Sequence, residues 1–332
     1  MSNIPVDVLL EILPLVRLRD LGSLARANKY LSEHALDRMY EHIDFKHIKK
    51  ACHSIVANPD LARRVKTLQL DTNSPTHGLF LLPFVSGALC VTQNLRTLRL
   101  DVDGHYSQIL RDARSVFKLR SFSCSCYTDD DFVGFLREQT ELEELRLTHS
   151  YVESSQTASG AWHFPHLQKF EGPMSWVETI VPKHPVSHLT VTTVTSVMPD
   201  ISALGLTAVP IKYLRIPFHA VGSRTSEELQ VLLPALESLF ITASRSRTTM
   251  SRNVPHTVQD WLRDLLQKIP TIERVGILGW VDFEGGVDLE SFVTKATELA
   301  PAVREFTVQR TSLFGKEDRV RVLEKGSDGW IF

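Results

Sequence analysis

Val65-Lys66-Thr67-Leu68-Gln69-Leu70 sets the pattern that decides the fold: apolar, two variable residues, apolar, one variable residue, apolar. Leu95-Arg96-Thr97-Leu98-Arg99-Leu100 repeats it, and eight further segments begin at Leu119, Leu142, Leu167, Val186, Ile211, Leu236, Ile272 and Val303. Successive starts lie 19 to 36 residues apart. Recurrence at such a period predicts stacked units, each able to bury its apolar face only against its neighbours. Positions four and six of the pattern share one face of a strand, because side chains alternate. Position four is always apolar: Leu68, Leu98, Phe122, Leu145, Phe170, Leu189, Leu214, Leu239, Val275 and Phe306. Position six weakens once, at Gly172.

Helical stretches fill the intervals. Tyr106 to Phe117 places Ile109, Leu110, Ala113 and Phe117 on one side. Thr225-Ser226-Glu227-Glu228 has the spacing of a capping box. Proline stands just before six of the ten strand segments, at Pro165, Pro185, Pro210, Pro234, Pro270 and Pro301, where it stops a helix and favours extended backbone. Strand and helix in alternation predict an α/β fold with parallel strands joined by right-handed crossovers.

Composition narrows the function classes. A formal net charge of −2 argues against a sequence-independent grip on nucleic acid. The apolar run Phe80 to Val91 holds Pro83 and Gly87 and is shorter than the roughly 20 apolar residues of a membrane span. Asp7 and Glu11 interrupt the first apolar stretch, so it does not read as a signal peptide. Cys52, Cys90, Cys124 and Cys126 match neither a zinc pattern nor a disulfide framework. A reducing compartment, cytoplasmic or nuclear, is the expectation, with no metal and no cofactor.

The first 64 residues have a different grain. Val8, Leu9, Ile12, Leu13 and Val16 form one helical stripe, which Pro14 should end or kink. Asp20 is placed to cap a second helix, and a third begins near Asn28. So small a bundle buries little surface and predicts a partner. Four regions follow: a helical bundle over 1–45, a helical connector or cap over 46–64, about ten repeats over 65–310, and a C-terminal cap over 311–332 with a possible β-hairpin.

Ile4-Pro5-Val6-Asp7-Val8-Leu9-Leu10-Glu11-Ile12-Leu13, then Arg19-Asp20-Leu21, then Ala27-Asn28-Lys29, resembles an F-box over roughly residues 3 to 45. Tyr30 and Tyr40 stand where many members of that family carry tryptophan. The repeats are similar to leucine-rich repeats of irregular length, without the asparagine that regular members carry after the strand. Together the two resemblances imply a three-helix bundle followed by a solenoid, with parallel strands on the concave side and helices outside. They also imply a non-catalytic, substrate-recruiting subunit. Its bundle docks on a Skp-type adaptor, and through it on a cullin–RING ubiquitin ligase, while the repeats hold an unknown protein target. The alternative is an interaction scaffold outside ubiquitin transfer. By resemblance, adaptor docking falls on Pro5, Val8, Leu9, Ile12, Leu13, Leu21 and Leu24. Of the bundle's residues, Ile12, Leu24 and Leu36 are expected to pack the bundle, and Pro5, Leu9 and Leu13 to face the partner.

Target binding is expected on the face opposite the apolar positions. Tyr213, Arg215 and Phe240 combine exposed aromatic rings with an arginine on adjacent strands, the composition of a binding hot spot. Arg99 and Arg146 suggest a second groove, for an acidic or phosphorylated segment. The basic loop from Ser244 to Arg252 reads as a disordered surface loop, with a gate over the groove or a phosphorylated segment as the alternatives. Catalytic imitations are weak. Ser115 and Lys118 have an acylating enzyme's spacing but sit at the end of a repeat helix, and Asp129-Asp130-Asp131 suits a helix's first turn. No enzymatic activity is expected.

Overall fold

The computed structural model describes residues 8, 11–27, 29–44, 48–71, 75–104, 106–148, 162–193, 199–222, 224–243, 258–279, 294, 298, 300–310, 319–326 and 329–331. Two compact units divide the chain, Met1–Pro165 and His166–Phe332. In each, parallel strands follow one another in chain order, with helices in the connections.

The first unit opens with a 3₁₀ turn, Leu13–Leu15, and the helices Leu18–Ala27 and Lys29–Glu41. Leu13, Leu21 and Ala35 form its small core, with Val16, Leu24, Ala25, Leu31 and Met39 packed around them. The second helix starts at Leu18, so Asp20 lies in its first turn instead of capping it. Strands β1 (His42–Ile43), β2 (Thr67–Asp71), β3 (Thr97–Gly104), β4 (Ser121–Cys126) and β5 (Glu144–Leu147) follow, all parallel. Leu68, Leu98, Phe122 and Leu145 are aligned across β2 to β5. The helix Asp130–Arg137 lays Phe135 on Phe122, ring centroids 5.3 Å apart.

The second unit contains β6 (Lys169–Gly172), β7 (His188–Val191), β8 (Tyr213–Pro217), β9 (Ser238–Ala243), β10 (Arg274–Gly279) and β11 (Glu305–Arg310), again parallel. Phe170, Leu189, Leu214, Leu239, Val275 and Phe306 are aligned from strand to strand. Strand β12 (Arg319–Gly326) then pairs antiparallel with β11, and β13 (Gly329–Ile331) antiparallel with β12. Helix Ser226–Leu232 is held by a complete capping box, in which Thr225 and Glu228 each satisfy the other's backbone N–H.

The hexapeptide pattern explains the strands. Every first-position and fourth-position residue, from Val65 and Leu68 to Val303 and Phe306, is at most 2% exposed. A backbone clamp locks the register. The Lys66 carbonyl accepts from the N–H groups of both Arg96 and Thr97, at 2.8 and 3.0 Å. The carbonyls of Arg96, Arg120, Gln168, Ser187, Lys212, Glu237 and Glu273 accept from the next strand in the same way. The clamp falls each time on position two, so a strand slipped by one residue loses both bonds and turns its apolar face to water.

One expectation is corrected. The leucine-rich-repeat solenoid, with strands on a concave side, is not what forms: the eleven parallel strands, five in the first unit and six in the second, make sheet that is neither curled nor closed. Curvature needs a small, constant rotation per unit. Here the connections are unequal, with helices ranging from four residues at Gln108–Arg111 to fifteen at Pro75–Leu89. No constant rotation accumulates from such units.

Candidate binding site

The N-terminal residues separate into inside and outside. Leu13 and Leu21 are core, at 7% and 0% exposure, and Leu24 is half-buried against them. Val8, Ile12 and Leu15 are 42%, 45% and 82% exposed, and Tyr30 is 45% exposed. Ile12, assigned to packing, thus faces out, and Leu13, assigned to the partner, faces in. The cause is local: Pro14 tightens Leu13–Leu15 into a 3₁₀ turn and resets the facing of the stripe. Pro5 and Leu9 lie outside the described residues.

Arg99 and Arg146 stand in one register row of the first unit, with Ser123 between them. Arg99 is ion-paired to Asp101, which also accepts from the Ser123 hydroxyl at 3.0 Å. Arg146 is exposed. With Arg99 paired within its own strand, this row makes a weak anion groove.

The second unit brings Tyr213, Arg215 and Phe240 together. Tyr213 pairs with Ser238, and Arg215 with Phe240, across β8 and β9. The Tyr213 and Phe240 rings are 5.3 Å apart, and His188 stacks on Tyr213 at 5.9 Å. Phe240 is possible in this pose because its partner on β10 is Gly276, over which the ring lies. Burial raises the Tyr213 phenol; Glu171 adds to the rise, and Arg215 and Arg274 oppose it. Burial lowers the His188 imidazole, helped by Lys169, Arg274 and Lys212 and opposed by Glu237. Tyr213, Arg215 and Phe240 are half-buried, so the patch is neither core nor free surface.

The hot-spot reading missed His188, Ser238, Arg274 and Gly276. Their signal lay in the alignment of the hexapeptides: His188, Tyr213, Ser238 and Arg274 all occupy position three, and Phe240 and Gly276 both occupy position five. Aligned by register instead of in chain order, they form one patch. The Ser244–Arg252 loop lies outside the described residues.

The catalytic imitations have structural explanations. Lys118 donates to the Glu138 carbonyl and faces the Glu138 carboxylate at 3.7 Å, while Ser115 is exposed. Asp129 is the N-cap of its helix, accepting from the Phe132 N–H at 2.9 Å, and Asp131 pairs with Arg114 at 2.9 Å. Cys124 and Cys126 are buried with sulfurs 2.8 Å apart, and burial pushes the Cys126 thiol well up. Burial likewise pushes Cys52 up to about 12. Cys52 and Cys126 are therefore protonated and poor nucleophiles. Among the described residues no group of three His, Cys, Asp or Glu side chains is arranged to hold a metal, and no helix is long and apolar enough to cross a membrane. No family model matches the chain, and no curated protein matches it.

Proposed function

We propose that the chain is an F-box-like, non-catalytic adaptor: its N-terminal helices dock on a Skp-type subunit of a cullin–RING ubiquitin ligase, and its sheet holds the protein to be modified. The observation that carries the reading is the exposure of Val8, Ile12 and Leu15 on a bundle whose own core is already closed by Leu13, Leu21 and Ala35. Neighbouring apolar residues left outside a finished core are the material of a hydrophobic interface. The F-box resemblance assigns that interface its partner. The adaptor contributes proximity alone, raising the target's effective concentration near the ligase's charged enzyme.

The test is capture of the purified chain on an immobilised Skp-type adaptor. Ile12→Asp puts a charge in the interface at a residue 45% exposed, so the fold is spared. Wild type should be retained and the variant lost; equal retention of both removes the docking assignment.

One observation favours the scaffold reading. Arg64 pairs with Asp37, and Lys66 pairs with Glu41 at 2.9 Å, tying the third helix to the start of β2. Such ties suit a bundle that only caps the sheet. A cap has no use for the adaptor, so absence of wild-type retention selects this reading.

A further inference from the structure

The face of the second unit carries two arginines without a close ion pair among the described residues. Tyr213, Ser238 and Arg274 form one register row, and Arg215, Phe240 and Gly276 form the next. Arg215 and Arg274 make no ion pair and no hydrogen bond among the described residues, in a chain where Arg96, Arg114 and Lys212 all find carboxylates. Glu237 takes Lys212 at 2.8 Å, with Arg274 acting on it only at longer range, and Glu305 takes the Thr307 hydroxyl at 3.3 Å. Between Tyr213 and Arg274 in the register, the Ser238 hydroxyl, 0% exposed, also has no hydrogen-bond partner among the described residues. A buried hydroxyl without a partner is destabilising, so Ser238 holds a donor that an incoming acceptor would satisfy.

Geometry lets the two arginines act together. Their strands, β8 and β10, flank β9, and they stand one register row apart, so their backbones are about 12 Å apart at the usual strand spacing and rise. Both guanidinium groups act on the phenol of Tyr213. Two cations around an aromatic pair complement an anion with an apolar neighbour.

We propose that this face binds an acidic peptide segment in which a carboxylate lies next to an aromatic or aliphatic anchor. The anchor rests on the Tyr213–Phe240 pair, and Arg215 and Arg274 close on the carboxylate. Ser238 donates to the peptide once either ring shifts. Glu171 and Glu305 share the face and oppose a continuous phosphate chain, and the formal net charge of −2 works in the same direction. The inference rests on the adaptor reading for the face's role in holding a target, and names that target's chemistry.

The test is fluorescence anisotropy of the full chain with three labelled probes: the peptide Glu-Glu-Phe-Glu-Glu, the peptide Lys-Lys-Phe-Lys-Lys, and an oligothymidylate. The acidic peptide should bind at least tenfold more tightly than either control. Arg215→Gln with Arg274→Gln should weaken it at least tenfold, and Phe240→Leu several-fold, with circular dichroism unchanged. Equal affinity for the two peptides, full affinity in the double variant, or preference for the oligothymidylate overturns the proposal. Adaptor capture is scored on the same samples. Lost peptide binding with adaptor retained rejects this inference alone, and lost adaptor with peptide retained rejects the docking reading alone.

Discussion

The ring of Phe240 occupies the space that a side chain at Gly276 would need. A Cβ built on Gly276 would stand 2.6 Å from Cε1 of Phe240, and closer still to Cδ1. The two residues are partners across β9 and β10. The aromatic pair of the candidate site is therefore placed by a missing side chain one strand away. Gly276→Ala should force Phe240 aside and cost about 1–3 kcal/mol, the usual range for overpacking. Urea denaturation measures it. Adding Phe240→Ala should cost less than the sum of the single changes, since the clash is removed with the ring. Strict additivity would mean the two residues do not share that space.

Leu98 and Leu214 are at most 1% exposed, each aligned with apolar partners on both neighbouring strands. Truncating either to alanine should cost about 2–5 kcal/mol, as transfer and cavity terms combine. Gln93, exposed in a loop, serves as the comparison; its change to alanine should stay within about 0.5 kcal/mol. Chemical denaturation of the three variants decides whether the hexapeptide positions carry the core.

Thr225→Ala removes the hydroxyl that accepts from the Glu228 N–H at 3.2 Å, and with it one half of the capping box. A loss of about 1 kcal/mol is expected. Thr225→Asp should recover most of it, because a carboxylate caps as well and suits the helix dipole. No difference between alanine and aspartate would deny the cap its role.

His188 gives the protein a pH dependence of definite sign. Burial, then Lys169, Arg274 and Lys212, hold its imidazole below the ordinary value of 6.5, against the pull of Glu237. Between the folded and unfolded values the unfolded chain binds more protons at this site. Stability therefore falls as pH drops below 6.5 and levels off once the folded value is passed. Urea midpoints for wild type and His188→Gln should converge as the buffer is taken from about pH 7.5 to about pH 5.5. Parallel curves would show that His188 titrates alike in both states.

The strands were legible because water enforces them locally. An apolar residue at position four beside a polar one at position five leaves one facing for a strand, and neither Leu145 nor Phe170 had an alternative. Curvature was not legible. It is a sum over units, set by how each unequal connection seats its helix, and no hexapeptide contains that information. The facing of Ile12 and Leu13 failed for a smaller reason: a helical stripe was assumed to run through Pro14, where the chain tightens into a 3₁₀ turn. At the candidate site Tyr213 and Phe240 stood out by residue type. Gly276 did not, since its contribution is empty space that only the pairing of β9 with β10 makes visible.

The central claim is that this chain docks on a Skp-type adaptor through its N-terminal helices. Size-exclusion chromatography of the purified chain mixed with purified adaptor tests it directly. A single co-eluting species for wild type, and two separate species for Ile12→Asp, is the predicted outcome. Separate elution of the wild-type chain and the adaptor would contradict the account.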